Sequence, residues 1–93
     1  MIANLSRHAS ERARQRGATQ AQINAVVRYA DQCIRRSGNV ELIWISADAL
    51  AYLGPRTPEG VDVDRLGTLC LLLANDETVV TLYRVARRPQ SLH

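Results

Sequence analysis

The residues of this 93-residue chain best suited to chemistry lie near its start: His8, Arg12 and Arg16, spaced four apart, with Gln15 between the last two. On a helix these four fall within an arc of about 100°, so they share one face. An imidazole exchanges protons near neutral pH, and a guanidinium fork can grip a phosphate beside it. Metal-independent cleavage of RNA needs those two capacities, because the 2′-hydroxyl supplies the nucleophile. The same stripe also fits a plain solvated basic face, since arginine is a good helix former. A second group stands near the other end: Thr81, Tyr83 and Arg84. On a strand Thr81 and Tyr83 share a face, where their hydroxyls could hold a phosphate, and Arg84 points the other way unless a bulge turns it. Threonine and tyrosine are equally at home on the half-buried surface of a strand.

Other chemistries find less support. His8 and His93 are the only histidines, and His93 is the last residue, so a His-rich metal site is not expected. Asp62-Val63-Asp64 lacks the glycine and distal glutamate of a calcium loop. Glycine-rich phosphate loops and serine-nucleophile motifs are absent, and no cofactor is expected. Cys33 and Cys70 each sit in an apolar run, which reads as two buried small hydrophobes rather than a metal pair or a disulfide.

The elements that must position these residues follow from spacing and punctuation. Ser6 as N-cap and Gly17 as terminator predict a first helix over 6–16, with a thin apolar face of Leu5, Ala9 and Ala13. Thr19 with Gln22 fits a capping box. Ile23, Val26, Val27, Ala30 and Ile34 then predict a second helix that runs to the Ser37-Gly38-Asn39 stop. The short Gly17-Ala18 link predicts a tight helical pair. Val40–Ile45 reads as a strand, and Ser46 as the N-cap of a short helix over 47–53 closed by Gly54-Pro55. Residues 55–66 read as an exposed loop. Thr68–Ala74 and Thr78–Val85 read as a hairpin around Asn75-Asp76-Glu77, with Val79, Thr81, Tyr83 and Val85 on one face of the last strand. From Arg87 onward the chain is expected to fray. The class is α+β: an N-terminal helical pair on a small antiparallel sheet, with an inserted short helix.

A chain of 93 residues is a single domain, 1–93, too small for an α/β barrel or a complete dinucleotide fold. Its 46% hydrophobic content excludes a disordered tail. All twelve basic residues are arginine. Residues 1–39 carry seven of them against Glu11 and Asp31, giving +5; residues 40–83 carry two against seven acids, giving −5; the last ten add three and no acid. If the two ends meet in the fold, they form one basic surface able to attract polyanions. The N-terminus lacks a signal-peptide core, and no segment reaches the roughly 18 apolar residues of a membrane span. The expectation is a soluble, cytoplasmic protein with no membrane partner.

The stretch Ser6-Arg7-His8-Ala9-x-x-Arg12-x-x-x-Arg16-Gly17-Ala18-Thr19 resembles the His-Ala-x-x-Arg-x-x-x-Arg-Gly-Ile-Ser/Thr opening of a small bacterial domain family of unknown function. Val79-Val80-Thr81-Leu82-Tyr83 resembles that family's final strand, Val-Ile/Val-Thr-Val/Leu-Tyr. The resemblance spans about residues 5–85, in the same order. Two features depart from it: Ala18 replaces the usual Ile, and a short helix with an acidic loop is inserted. The family is grouped with RelE/ParE-like toxins and the barnase–colicin–RelE ribonuclease fold. The resemblance implies a metal-independent endoribonuclease acting on RNA, with an antitoxin or other protein partner. On that reading His8 transfers protons, Arg12 and Arg16 hold the scissile phosphate, and Thr81 and Tyr83 orient it. Two other readings stay open. One is a non-catalytic module of the same fold that binds protein or nucleic acid through its arginines. The other is an interaction domain that offers the apolar strand 68–74 as an edge.

Overall fold

The computed structural model describes residues 2–85. The order is α1 (Arg7–Gln15), α2 (Gln20–Tyr29), β1 (Gln32–Arg35), β2 (Glu41–Trp44), α3 (Ala47–Leu53), a 3₁₀ turn (Val63–Arg65), β3 (Leu69–Leu73) and β4 (Val79–Arg84). The strands form one antiparallel sheet in the order β1-β2-β3-β4. The class is α+β, as expected. β3 is therefore interior, and the reading of 68–74 as a partner edge is corrected. The expected fraying from Arg87 onward lies outside the described residues.

The helix ends obey their local chemistry. Ser6 Oγ accepts from Ala9 N at 3.0 Å, and Gly17 leaves α1 at φ +65°, where a side chain would be strained. Thr19 and Gln22 close the expected capping box on α2. Ser46 caps α3 through Ala49 N at 3.1 Å.

The second helix is shorter than its periodicity suggested. It stops at Tyr29, and Gln32–Arg35 turn back as β1. Ile34 keeps its apolar role, but on the sheet, opposite Leu42. The Ser37-Gly38-Asn39 group is a hairpin turn instead of a helix stop, with Gly38 at φ +70° and Arg36 N donating to Val40 O at 2.7 Å. The two helices are also less of a pair than their short link implied: α1 packs mainly along β4, and α2 over β2 and β3.

The sheet separates two apolar groups. Ile43, Ile45, Leu69, Leu71, Val79 and Leu82 join Ala9, Ala13, Ile23, Val26 and Leu50 on the helical side. Leu42, Trp44 and Cys70 cluster on the other face with Ile34, Leu72 and Val85. A bulge decides which side β4 residues take. Thr81 pairs with Leu72, but Leu73 pairs with Val79, which leaves Val80 extra. Val79 consequently joins Leu82 in the helical-side core and not Thr81 and Tyr83, contrary to simple alternation. Two further expectations need correction. Cys33 is exposed on β1, while Cys70 is buried as expected. The 55–66 segment is no plain loop, because Thr57, Val63 and Leu66 are all buried.

Candidate functional site

The basic N-terminal segment meets the last strand along α1 and β4. Before the helix starts, Val79 N donates to Asn4 O at 2.8 Å and Ser6 N donates to Val79 O at 2.9 Å. Ser6 Oγ then donates to Val80 O at 2.8 Å. Farther along, the Arg12 guanidinium carbon lies 5.9 Å from the centre of the Tyr83 ring. At the far end the Arg84 side chain reaches the Arg16 carbonyl. Helix and strand thus run in the same direction and in step. From Ser6 to Arg16 a helix advances about 15 Å, and from Val79 to Arg84 a strand advances about 16 Å. This match is what lets residues 68–74 positions apart stay opposed.

The candidate residues divide by environment. Arg12 and Tyr83 are brought together. Arg12 is half-buried, its Nε is buried with no hydrogen-bond partner, and among the described residues no acid lies within ion-pair distance of it. A buried guanidinium N–H left unpaired costs about 1–3 kcal/mol, and the ring beneath it returns about 1 kcal/mol at most for a partly exposed cation–π pair. His8 is exposed on the first turn of α1, and the structure gives its ring no hydrogen-bond partner among the described residues. The Arg16 side chain is exposed. Thr81 is half-buried opposite Leu72, and Tyr83 is 40% exposed opposite Cys70. Tyr83 therefore reaches the stripe from the sheet face away from the helices.

Arg84 has a different part from the other arginines. It does point away from Thr81 and Tyr83, onto the helical side. There Nε donates to Arg16 O at 3.0 Å, and Nη1 donates to Arg65 O at 2.8 Å and Thr68 Oγ1 at 3.1 Å. Nη2 donates to Gln22 Oε1 at 2.9 Å and Gly17 O at 3.4 Å. Burial, with Arg65 nearby, lowers its pKa from the ordinary arginine value. The side chain satisfies the carbonyls just past the end of α1 and ties them to α2 and to the segment that leads into β3. Nothing in the spacing of Arg84 signals this role, because its acceptors are mostly backbone carbonyls.

The electrostatics of the face are one-sided. The described ion pairs are Arg28–Glu59 and Arg35–Glu41, both at the surface. Arg7, Arg12, Arg14 and Arg16 have no such partner among the described residues. Arg12 and Arg14 lie in the last turn of α1, where cations complement the helix dipole. That accounts for Arg14, whose side chain is free in water, but not for the partly buried Arg12. Arg87 and Arg88 lie outside the described residues.

A groove of about 500 Å³ lies elsewhere, among Ala3, Asn24, Arg28, Glu59, Val61 and Glu77. None of His8, Arg12, Arg16, Thr81 or Tyr83 lines it. At its rim the Tyr29 hydroxyl donates to both Glu59 oxygens, at 2.8 and 2.9 Å. This bond holds the Glu59 carboxyl below its ordinary pKa. The sequence offers no sign of that pair, whose members are 30 positions apart. Among the described residues no group of three or more His, Cys, Asp or Glu could hold a metal ion, and no helix is long and apolar enough to cross a membrane.

No protein-family model matches the chain, and no curated protein or solved structure matches it significantly. The resemblance to the toxin-grouped family rests on residues 6–19 and 79–83 alone.

Proposed function

We propose that the α1–β4 face binds the phosphates of RNA and, with His8 beside them, cleaves the strand without a metal. One observation carries the binding part: Arg12 is held half-buried over Tyr83 with a buried Nε, and no carboxylate among the described residues pairs with it. The terminal nitrogens, unlike Nε, are open to a phosphate oxygen, whose charge stabilises a cation placed so, and the planar fork suits that ligand better than an ammonium would. The exposed Arg16 and His8 on the same side of α1 extend the contact along a strand. The exposed Tyr83 ring offers a surface on which a base can stack.

The cleavage part rests on the residue types and on the family resemblance. In it the 2′-oxygen of RNA attacks the adjacent phosphorus as its proton leaves, and the bond from phosphorus to the 5′-oxygen breaks. The products are a 2′,3′-cyclic phosphate and a free 5′-hydroxyl. His8 transfers a proton in this step, while Arg12 and Arg16 neutralise charge that builds on the phosphoryl oxygens.

A second reading, binding without cleavage, is favoured by the bare environment of His8. No described residue orients its imidazole, as an efficient proton-transfer group requires. One experiment separates the two: incubate single-stranded RNA with wild type and His8→Ala in EDTA, and measure binding in parallel. Cleavage that falls on the order of 10²–10⁴ in His8→Ala supports the nuclease. Intact RNA that is bound, and bound less well by Arg12→Ala, leaves the binding module. RNA neither cut nor bound ends both.

A further inference from the structure

The two edges of the sheet are treated differently. On β4 the segment Asn4–Ser6 occupies the outer backbone groups of Val79. On β1 the outward row can be read from the ladder with β2. Arg36 N donates to Val40 O, and the register pairs Ile34 with Leu42 and Gln32 with Trp44. Hydrogen-bonded pairs alternate in an antiparallel ladder, so Gln32 and Ile34 bond to β2 while the backbone groups of Cys33 and Arg35 point outward. No described residue bonds to that outward row at Cys33 or Arg35.

An open edge is a template for another strand, and the side chains here select which. Asp31, Cys33 and Arg35 alternate along one face, with an acid two places before Cys33 and a base two places after it. Charges on an edge normally discourage pairing, but this set is complementary to itself. If β1 meets its own copy antiparallel about Cys33, each Asp31 lies opposite Arg35 of the second copy, twice over. The alternation also makes Cys33–Cys33 and both Asp31–Arg35 pairs the hydrogen-bonded kind, so the outward backbone groups answer one another; the Asp31 carbonyl already accepts from Gln32 Nε2 at 3.0 Å and meets the second copy with its other lone pair. Asp31 is available as an acceptor. Each of its oxygens takes one bond from Ser46, at 2.8 and 2.6 Å, and retains a free lone pair. Arg35 holds Glu41 only loosely, at 3.8 Å.

We propose that the chain forms a two-fold dimer by antiparallel pairing of β1 with β1 of a second copy, centred on Cys33, which joins two four-stranded sheets into one of eight. The partner is another molecule of this chain, recognised by backbone hydrogen bonds and the Asp31–Arg35 pairs. The two α1–β4 faces then lie at the outer ends, seven strand spacings or about 34 Å apart. The dimer does not depend on what that face binds.

Sedimentation velocity on the full chain, from micromolar to about millimolar, tests this. The expected result is a species of twice the 10.3 kDa chain mass that grows with concentration. Of the backbone groups Arg35→Pro removes only an outward N–H, so β1–β2 pairing survives, while the guanidinium that meets Asp31 of the second copy is lost too; this variant is expected to stay monomeric with an unchanged circular dichroism spectrum. Arg35→Asp sets two acids against each other and is expected to weaken the dimer at least tenfold, less so in high salt. Cys33 supplies a positional check. Hydrogen-bonded pairs put Cα atoms about 5.5 Å apart, within disulfide reach. Oxidation with copper–phenanthroline in air is expected to give a covalent dimer in wild type and none in Cys33→Ser, since Cys70 is buried. A chain that stays monomeric at every concentration, or a dimer that persists in Arg35→Pro, overturns the proposal.

Discussion

Two arginines that look alike in the sequence have opposite fates in the fold. Arg84 meets five acceptors, at distances from 2.8 to 3.4 Å, whereas the buried Arg12 Nε meets none among the described residues. Hydrogen bonds from a charged donor contribute about 1.5–3 kcal/mol each, less where water competes. We therefore expect Arg84→Met to destabilise the fold by about 2–3 kcal/mol in urea titration, and Arg84→Lys to recover only a small part of that. Arg12→Met is expected to leave stability within about 0.5 kcal/mol of wild type or to raise it, because it removes an unpaired buried donor. It should nonetheless weaken RNA binding and flatten the dependence of log affinity on log salt by about one phosphate contact. A large loss of stability in Arg12→Met would show that this arginine is structural after all. Residue types and spacing marked the His8-Arg12-Arg16 stripe and the Thr81-Tyr83 pair. They could not separate Arg12 from Arg16 or reveal Arg84 as a clamp, because partners 68 positions apart are set by the fold.

The elements show the same division between local and distant causes. Every helix start was readable, since a cap is made by residues three apart: Ser6 with Ala9, Thr19 with Gln22, Ser46 with Ala49. The end of α2 was not, because no glycine or proline marks it and Ile34 follows Ala30 at a helical interval. What stops the helix is the demand of β2 for a neighbour, met by β1. Likewise the bulge at Val80 follows from how β4 meets both β3 and the N-terminal segment. The junction of β1, β2 and α3 carries a pH signature. Burial pushes the Asp31 carboxyl up, but the two bonds from Ser46 outweigh it and hold the group below its ordinary 3.8. A carboxyl depressed on folding adds stability that is fully present above its unfolded pKa and is lost as pH falls through the folded one. Ser46→Ala should therefore cost most above the unfolded pKa of Asp31, and progressively less as pH falls through the folded one, towards the loss of the cap alone, at about 1 kcal/mol. A cost that does not change with pH would detach Asp31 from this junction.

At the scale of the whole molecule, the uneven charge along the chain becomes a surface. The basic first segment lies along the last strand, held in step by the equal advance of helix and strand. Acids are numerous between residues 41 and 77, and none forms an ion pair with the α1 arginines among the described residues. The composition indicated that the two ends would make a basic surface only if they met; the structure docks α1 along β4, which depends on the fold and not on spacing, while Arg87 and Arg88 lie outside the described residues. The central claim is that this face takes up an RNA phosphate backbone through Arg12. Its most direct test is a fluorescence-anisotropy titration of a short single-stranded RNA with wild type and Arg12→Met, repeated across salt concentrations. We expect wild-type affinity to fall steeply with salt, and the variant to bind at least tenfold more weakly at low salt with a shallower slope. Equal affinity and equal slope for the two proteins would contradict the account.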